Sequence, residues 1–155
     1  MYKIVSIVII VVFFISCKTD KNIDVQTIID KSIEVSGGDK IKNSTIAFGF
    51  RNKYYKAVRN NGQFQFERMF KDSTVIIKDV LFNEGFERYK NNELIKVSDS
   101  MIPRYSASVN SVHYFSVLPF GLNATSVNKL YMDEIELKGK TYYKIKITFN
   151  QDGGG

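Results

Sequence analysis

One cysteine, one histidine, two prolines and no tryptophan occur in the 155 residues, and each scarcity closes off some chemistry. A single thiol has no intramolecular disulfide partner, so Cys17 can be neither a staple nor half of a paired-cysteine metal site. With His113 as the only histidine, every scheme that needs an imidazole base or ligand must run through that residue. No second histidine, free thiol or spaced carboxylate pair accompanies it, so zinc centres and nucleophile triads with a histidine base have no support, and neither a metal nor a cofactor is expected. The setting Val112-His113-Tyr114-Phe115 is aromatic, which favours a packed histidine near a helix end over a catalytic one. No basic block stands out either. The net charge of +6 is dispersed along the chain, as lysines on the wet face of strands would disperse it, and nucleic acid is not an expected partner.

What is present begins with the N-terminus. Lys3 precedes an apolar run over residues 4–15, and Ser16-Cys17 follows with a small residue before the cysteine. A membrane-crossing helix needs roughly 20 apolar residues and this run is shorter, so it reads as a lipoprotein signal rather than a span. Residues 1–16 are therefore the expected signal peptide and Cys17 the expected lipidation site. Residues 17–23 form a polar tether, and 24–155 a single domain. Loss of Lys3 would leave a mature charge of +5, against +6 for the whole chain. Two or more acyl chains on Cys17 would hold the protein to a membrane. Lys18, in place of the aspartate associated with inner-membrane retention, points to the outer membrane, facing the periplasm or the cell surface.

Hydrophobic spacing then predicts the fold. Val25, Ile28, Ile29 and Ile33 recur at helical intervals, with Asp24 as the cap and Gly37 at the left-handed end, giving a helix over about 24–36. From residue 44 the period becomes two, with Ile46, Phe48 and Phe50 on one face, and six strands follow to about Val97. Asn61-Gly62 and Asn91-Asn92 mark hairpin turns between them. An antiparallel meander results. Ser98, Asp99 and Ser100 offer a cap for a second helix with Pro103 in its first turn and a stripe of Tyr105, Val109, Val112 and Ser116. Its serines and β-branched residues are weak helix formers, so that helix must depend on packing against the sheet. Leu118-Pro119-Phe120-Gly121-Leu122 reads as a short apolar loop, and a last hairpin turns at Lys138-Gly139-Lys140. Glu134 and Glu136, with Asp133, read as the solvated face of an alternating strand with lysines opposite, not as a glycosidase pair. The ending Gln151-Asp152-Gly153-Gly154-Gly155, straight after a strong strand, suggests an incomplete domain with an open edge.

Several stretches together carry a resemblance: the segment ending at Cys17, Ser36-Gly37-Gly38-Asp39-Lys40, Asn43-Ser44-Thr45-Ile46, and Ser111-Val112-His113-Tyr114-Phe115 with Leu118-Pro119-Phe120-Gly121-Leu122. They resemble an uncharacterised family of Bacteroidota lipoproteins, the DUF6503 type, in which further strands would follow the glycine run. The architecture so implied is similar to the half-open barrel of lipoprotein carriers such as LolA and LolB. The expected fold class is thus α+β: a strongly curved antiparallel β-sheet, a half-barrel, packed on one or two helices.

The functional expectation is an exported, non-enzymatic lipoprotein that binds a lipid, an acylated partner or another hydrophobic ligand in the sheet's concavity. Its ligand surface would be Phe48, Phe50, Phe64, Phe66, Tyr114, Phe115 and Phe120. A solid-cored structural or protein-interaction lipoprotein is the alternative, and a hydrolase or aldolase-type enzyme the third reading. Asp72-Ser73-Thr74 and Asp99-Ser100-Met101 match a short O-glycosylation pattern of exported Bacteroidota proteins, which nominates Ser73 and Ser100.

Overall fold

The computed structural model describes residues 24–150. Cys17, the signal segment, the tether and the glycine ending lie outside the described residues, and so do the expectations attached to them.

Helix α1 spans Val25–Val35, and Asp24 caps it as expected: its carboxylate accepts from the backbone N–H of Gln26 at 3.0 Å and of Thr27 at 3.3 Å. Gly37, at φ 79°, takes the left-handed conformation that ends the helix at little steric cost. A second short helix then follows, α2, Gly38–Lys42, which the sequence reading did not separate from the turn. Five residues show too little periodicity to announce a helix.

Six strands follow as β1 (Asn43–Phe50), β2 (Lys53–Asn60), β3 (Gln63–Asp72), β4 (Val75–Phe82), β5 (Gly85–Lys90) and β6 (Glu93–Ile95). They pair in sequence order, each antiparallel to the next, so the meander is as expected. Two-residue turns with positive φ at both positions join several of them, at Arg51-Asn52, Asn61-Gly62 and Asn91-Asn92. That backbone twist matches the twist of the flanking strands. Helix α3, Ile102–Phe115, lies over β3 and β4. A 3-10 turn at Phe120–Asn123 leads into β7 (Val127–Leu137) and β8 (Lys140–Phe149). These last two strands form a sheet of their own. The described residues thus form a mixed α/β architecture of three α-helices with one six-stranded and one two-stranded antiparallel sheet, where a single sheet on one or two helices was expected, and the larger sheet is not closed.

Two corrections concern α3. Ser98, Asp99 and Ser100 do not cap it by side chain. The N-cap residue is Met101, and the Ser98 carbonyl accepts from the N–H groups of Met101 at 2.9 Å and Ile102 at 3.2 Å, so a backbone turn does the work of the cap. The buried stripe is also rotated from the expected one. Val109 and His113 are fully buried, whereas Val112 is only partly covered and Ser116 is exposed.

Strand register explains what α3 covers. Because successive side chains alternate, pairing puts Phe48, Tyr55, Arg68, Asp79 and Arg88 in one row across five strands, and Ile46, Ala57, Phe66, Leu81 and Phe86 in the next. Both rows face the helix. Ala57, Phe66 and Val109 form the centre of the core, with Phe64, Leu81 and Phe86 against it. Ile29 of α1 and Val127 of β7 mark a smaller buried contact away from that centre.

Candidate functional site

Among the largest fully buried side chains, two of the three are polar, His113 and Asp79, beside Val109. The space beneath α3 divides into two halves around them.

Under the N-terminal half of α3, Asp79 sits between two arginines. Its Oδ2 accepts from Arg68 Nη2 at 2.6 Å and Nε at 3.0 Å, and its Oδ1 accepts from Arg88 Nε at 2.6 Å. Arg88 Nη2 adds a bond to Oδ2 at 3.1 Å. The helix joins this network twice. Arg68 Nη1 donates to Ser108 Oγ at 2.6 Å, and the Arg88 guanidinium lies 3.5 Å from the centroid of Tyr105. A weak helix former, Ser108, is thus held by a charge-assisted bond, which answers how so poor a sequence stays helical.

The C-terminal half of α3 rests on aromatic rings. His113 is packed against Phe66 at 4.7 Å, nearly parallel, with Tyr55 at 5.6 Å and Phe48 at 6.0 Å edge-on. Its Nε2 lies 3.0 Å from the Glu67 carbonyl oxygen, which must accept, so Nε2 carries the proton and Nδ1 is left as a buried lone pair without a partner among the described residues. Burial holds its pKa below the ordinary histidine value, with the nearby Arg59 charge acting in the same direction against the Glu67 bond. His113 is fully buried and ringed by aromatics.

The expected ligand residues separate into two clefts at opposite ends of β2. One, of about 480 Å³, opens beside the β1–β2 turn between Phe48, Phe50, Val112 and Phe115. The other, of about 410 Å³, opens beside the β2–β3 turn between Phe64, Phe66 and Phe120. No single concavity collects them, because Val109 and His113 fill the middle. Tyr114 lines neither cleft; its ring packs against Gly121, where an added Cβ would collide with it, and lies 5.9 Å from Phe149. Leu118 and Phe120 border a small space of about 160 Å³ shared with Ile33 and Ile41.

Ser73, with φ 54°, sits exposed in the β3–β4 turn, and Ser100 is exposed in the turn before α3 with its hydroxyl 3.3 Å from that of Ser98. Asp133, Glu134 and Glu136 are exposed, though only Asp133 has a lysine, Lys144, opposite it. Among the described residues no three His, Cys, Asp or Glu side chains gather into a metal-holding group, and no helix is long and apolar enough to cross a membrane.

Sequence reading missed Arg59, Arg68, Asp79 and Arg88. A signal was available: Phe64, Phe66, Arg68 and Phe70 share one phase of the strand alternation, as do Ile77, Asp79 and Leu81. A charge in the apolar phase of a strand has to find a buried partner, and pairing β3 with β4 brings Arg68 opposite Asp79.

Residues 3–155 match the family described as "Family of unknown function (DUF6503)". The chain belongs to that family. No curated protein and no solved structure matches it. Membership in the DUF6503 family covers both clefts and the Arg68–Asp79–Arg88 network, and it assigns no role to any of them.

Proposed function

We propose that this family member is an exported, non-enzymatic lipoprotein that binds an apolar ligand, an acyl chain in the first instance, in the aromatic clefts where α3 leaves the sheet uncovered. The observation that carries the reading is the cleft at the β1–β2 end. Phe50 is 44% and Phe115 is 55% exposed, and together they flank an open space of about 480 Å³. Small-molecule pockets run from roughly 300 to 1,000 Å³ and are mostly apolar with few polar groups, and this cleft fits both descriptions. Large aromatic groups left in water around a concave space are more costly than the same groups in a filled core, and an apolar guest removes that cost.

Export belongs to the same reading. The apolar run at residues 4–15 and the lone Cys17 support a lipid anchor, Lys18 in place of an aspartate supports an outer-membrane address, and the family resemblance supports a Bacteroidota source. The open antiparallel sheet with a helix across it supports the analogy with LolA-type carriers. Mass spectrometry of the native protein checks the anchor: the Cys17 peptide should carry acyl chains, and an unmodified N-terminal peptide beginning at Met1 would refute it.

Capture of an environment-sensitive alkyl probe by the folded full-length protein tests the binding. Phe115→Asp, at a side chain exposed enough for the fold to tolerate it, should weaken capture at least about tenfold while leaving the unfolding midpoint in place. Unchanged capture would sink the reading.

A second reading has an observation of its own. Leu130, Leu137 and Tyr143 of the β7–β8 hairpin are each more than half exposed, a surface better matched to a protein partner than to solvent. Probe capture by the clefts separates the two, because a structural or interaction lipoprotein with a solid core would show none.

A further inference from the structure

Each cleft has an arginine in its lining, but Arg51 of the β1–β2 cleft is exposed, whereas the cation of the β2–β3 cleft is buried in its wall. Arg59 is only 9% exposed, and its guanidinium lies 4.7 Å from the centroid of Phe66. Unlike Arg68 and Arg88, it takes part in no salt bridge among the described residues. Its Nη1 is buried with no hydrogen-bond partner there. Contact with the Phe66 ring offsets part of the cost of burying that charge, but a ring supplies no acceptor in the plane of the guanidinium. Desolvation lowers the pKa of Arg59, yet an arginine keeps its proton at neutral pH, so the charge persists. A buried cation without an anion is a costly arrangement, and one that an incoming anion reverses.

The rest of the cleft indicates what kind of anion. Phe64, Phe66 and Phe120 give this cleft of about 410 Å³ an apolar wall, which suits a ligand with an apolar body better than a small inorganic ion alone. Lys42 stands at its rim. The Nζ of Lys42 lies 2.7 Å from Asp39 Oδ1, but both side chains are more than half exposed, so this pair is weak and the lysine is free to turn toward a stronger partner. Positive charge at two depths with aromatic walls between them matches an amphiphile whose head is charged and whose body is not.

We infer that the β2–β3 cleft binds an anionic amphiphile, its carboxylate or phosphate head paired with Arg59 and its alkyl chain laid along Phe64, Phe66 and Phe120. This deepens the apolar-ligand reading and rests on it, adding the head-group chemistry and the end of the sheet at which the ligand enters. Head groups of both kinds present two oxygens to the parallel N–H donors of a guanidinium, so either can be held bidentately.

Three probes of equal chain length test it on the full-length protein at pH 8: dodecanol, dodecanoate and dodecyl phosphate. At least one of the two anions should bind about tenfold or more tightly than the alcohol. Preference for dodecanoate identifies a free fatty acid as the source, and preference for dodecyl phosphate a phosphorylated lipid. Arg59→Met should erase the anion preference and leave dodecanol binding in place. Lys56→Met, which removes a positive charge from the opposite face of the same strand, should preserve it. Equal affinity for all three probes in the wild-type protein, or a preference that survives Arg59→Met, overturns the inference while the apolar-ligand reading stands. Failure of all three to bind removes both. Arg59→Met should unfold no earlier in urea than the wild type, and a variant that fails to fold would contradict an unpartnered cation at that position.

Discussion

The two halves of the space beneath α3 are built on opposite terms. On the Tyr105–Ser108 side, the Asp79 carboxylate accepts four bonds from two arginines, and the remaining guanidinium nitrogen of Arg68 reaches the helix through Ser108. No buried side-chain donor or acceptor there is left without a partner among the described residues. On the Val109–His113 side, packing is aromatic, and polar atoms are left over: Arg59 Nη1, His113 Nδ1 and the Tyr114 hydroxyl are buried and unpartnered among the described residues. Directional bonds with nothing to spare specify a position, whereas apolar packing tolerates rearrangement and unpaired polar atoms invite a guest. The first half therefore anchors α3, and the second is where both clefts open.

The largest expected effect comes from breaking the matched half. Asp79→Asn keeps the shape of the side chain and removes its charge, leaving Arg68 and Arg88 facing each other with exposures of only about a tenth and no anion between them. Breaking a buried ion pair by removing one partner costs about 3–5 kcal/mol. Urea unfolding should show a loss of that size, and a loss below about 1 kcal/mol would mean that water reaches the arginines and that this half is not closed. Next in size is Ser108→Ala, which deletes the bond from Arg68 to the helix at a partly buried site. Hydrogen bonds to charged groups contribute about 1.5–3 kcal/mol, and the lower end is expected here because solvent can replace the hydroxyl. The same variant should speed amide exchange in α3 more than in the strands. Uniform exchange would show that the helix is not pinned at this point.

How much of this the sequence discloses follows from the range of the interactions involved. Asp24, Gly37, the hairpin at Asn61-Gly62 and the alternation through Phe64 and Phe66 are local signals, set by capping, positive φ and the pleat, and the meander follows from them. The cap of α3 was misplaced because a backbone carbonyl, that of Ser98, does what a serine or aspartate side chain would otherwise do, and backbone acceptors carry no sequence signature. Its buried stripe was misassigned by one residue because Val112 and His113 are adjacent, and only the register of β1 to β3 decides which of them meets the rings of Phe48, Tyr55 and Phe66. The split into two clefts lies further from the sequence still. Phe48 and Phe50, and Phe64 and Phe66, are legible as aromatics sharing one phase of their strands, and Phe115 and Phe120 as aromatics of the second helix and the loop after it. That Val109 and His113 would fill the space between them depends on how α3 crosses the strands, which no spacing in the chain states.

The smallest change in stability at neutral pH, and the sharpest contrast with Asp79, is expected at His113. Replacing it by Leu keeps close to its volume and removes both the unpartnered Nδ1 and the Nε2–H bond to the Glu67 carbonyl, so the variant should lose no more than the about 0.5–1.5 kcal/mol of one neutral hydrogen bond at pH 8. Its effect belongs to acid. Burial holds the folded-state pKa below the unfolded value of 6.5, so as pH falls the unfolded chain takes up a proton that the folded chain cannot accommodate. The stability associated with neutral His113 is therefore complete above pH 6.5 and is lost as pH drops from there through the folded-state value. Arg59 keeps its charge across this window and opposes protonation throughout, while the bond to the Glu67 carbonyl works the other way. Urea midpoints measured from pH 8 downward should begin to fall near pH 6.5 in the wild type and stay level through the same range in His113→Leu. A wild-type profile that is flat there would show that the aromatic half opens far enough to hydrate the imidazolium, and the contrast between a tightly matched half and a merely packed one would then extend to a half that breathes.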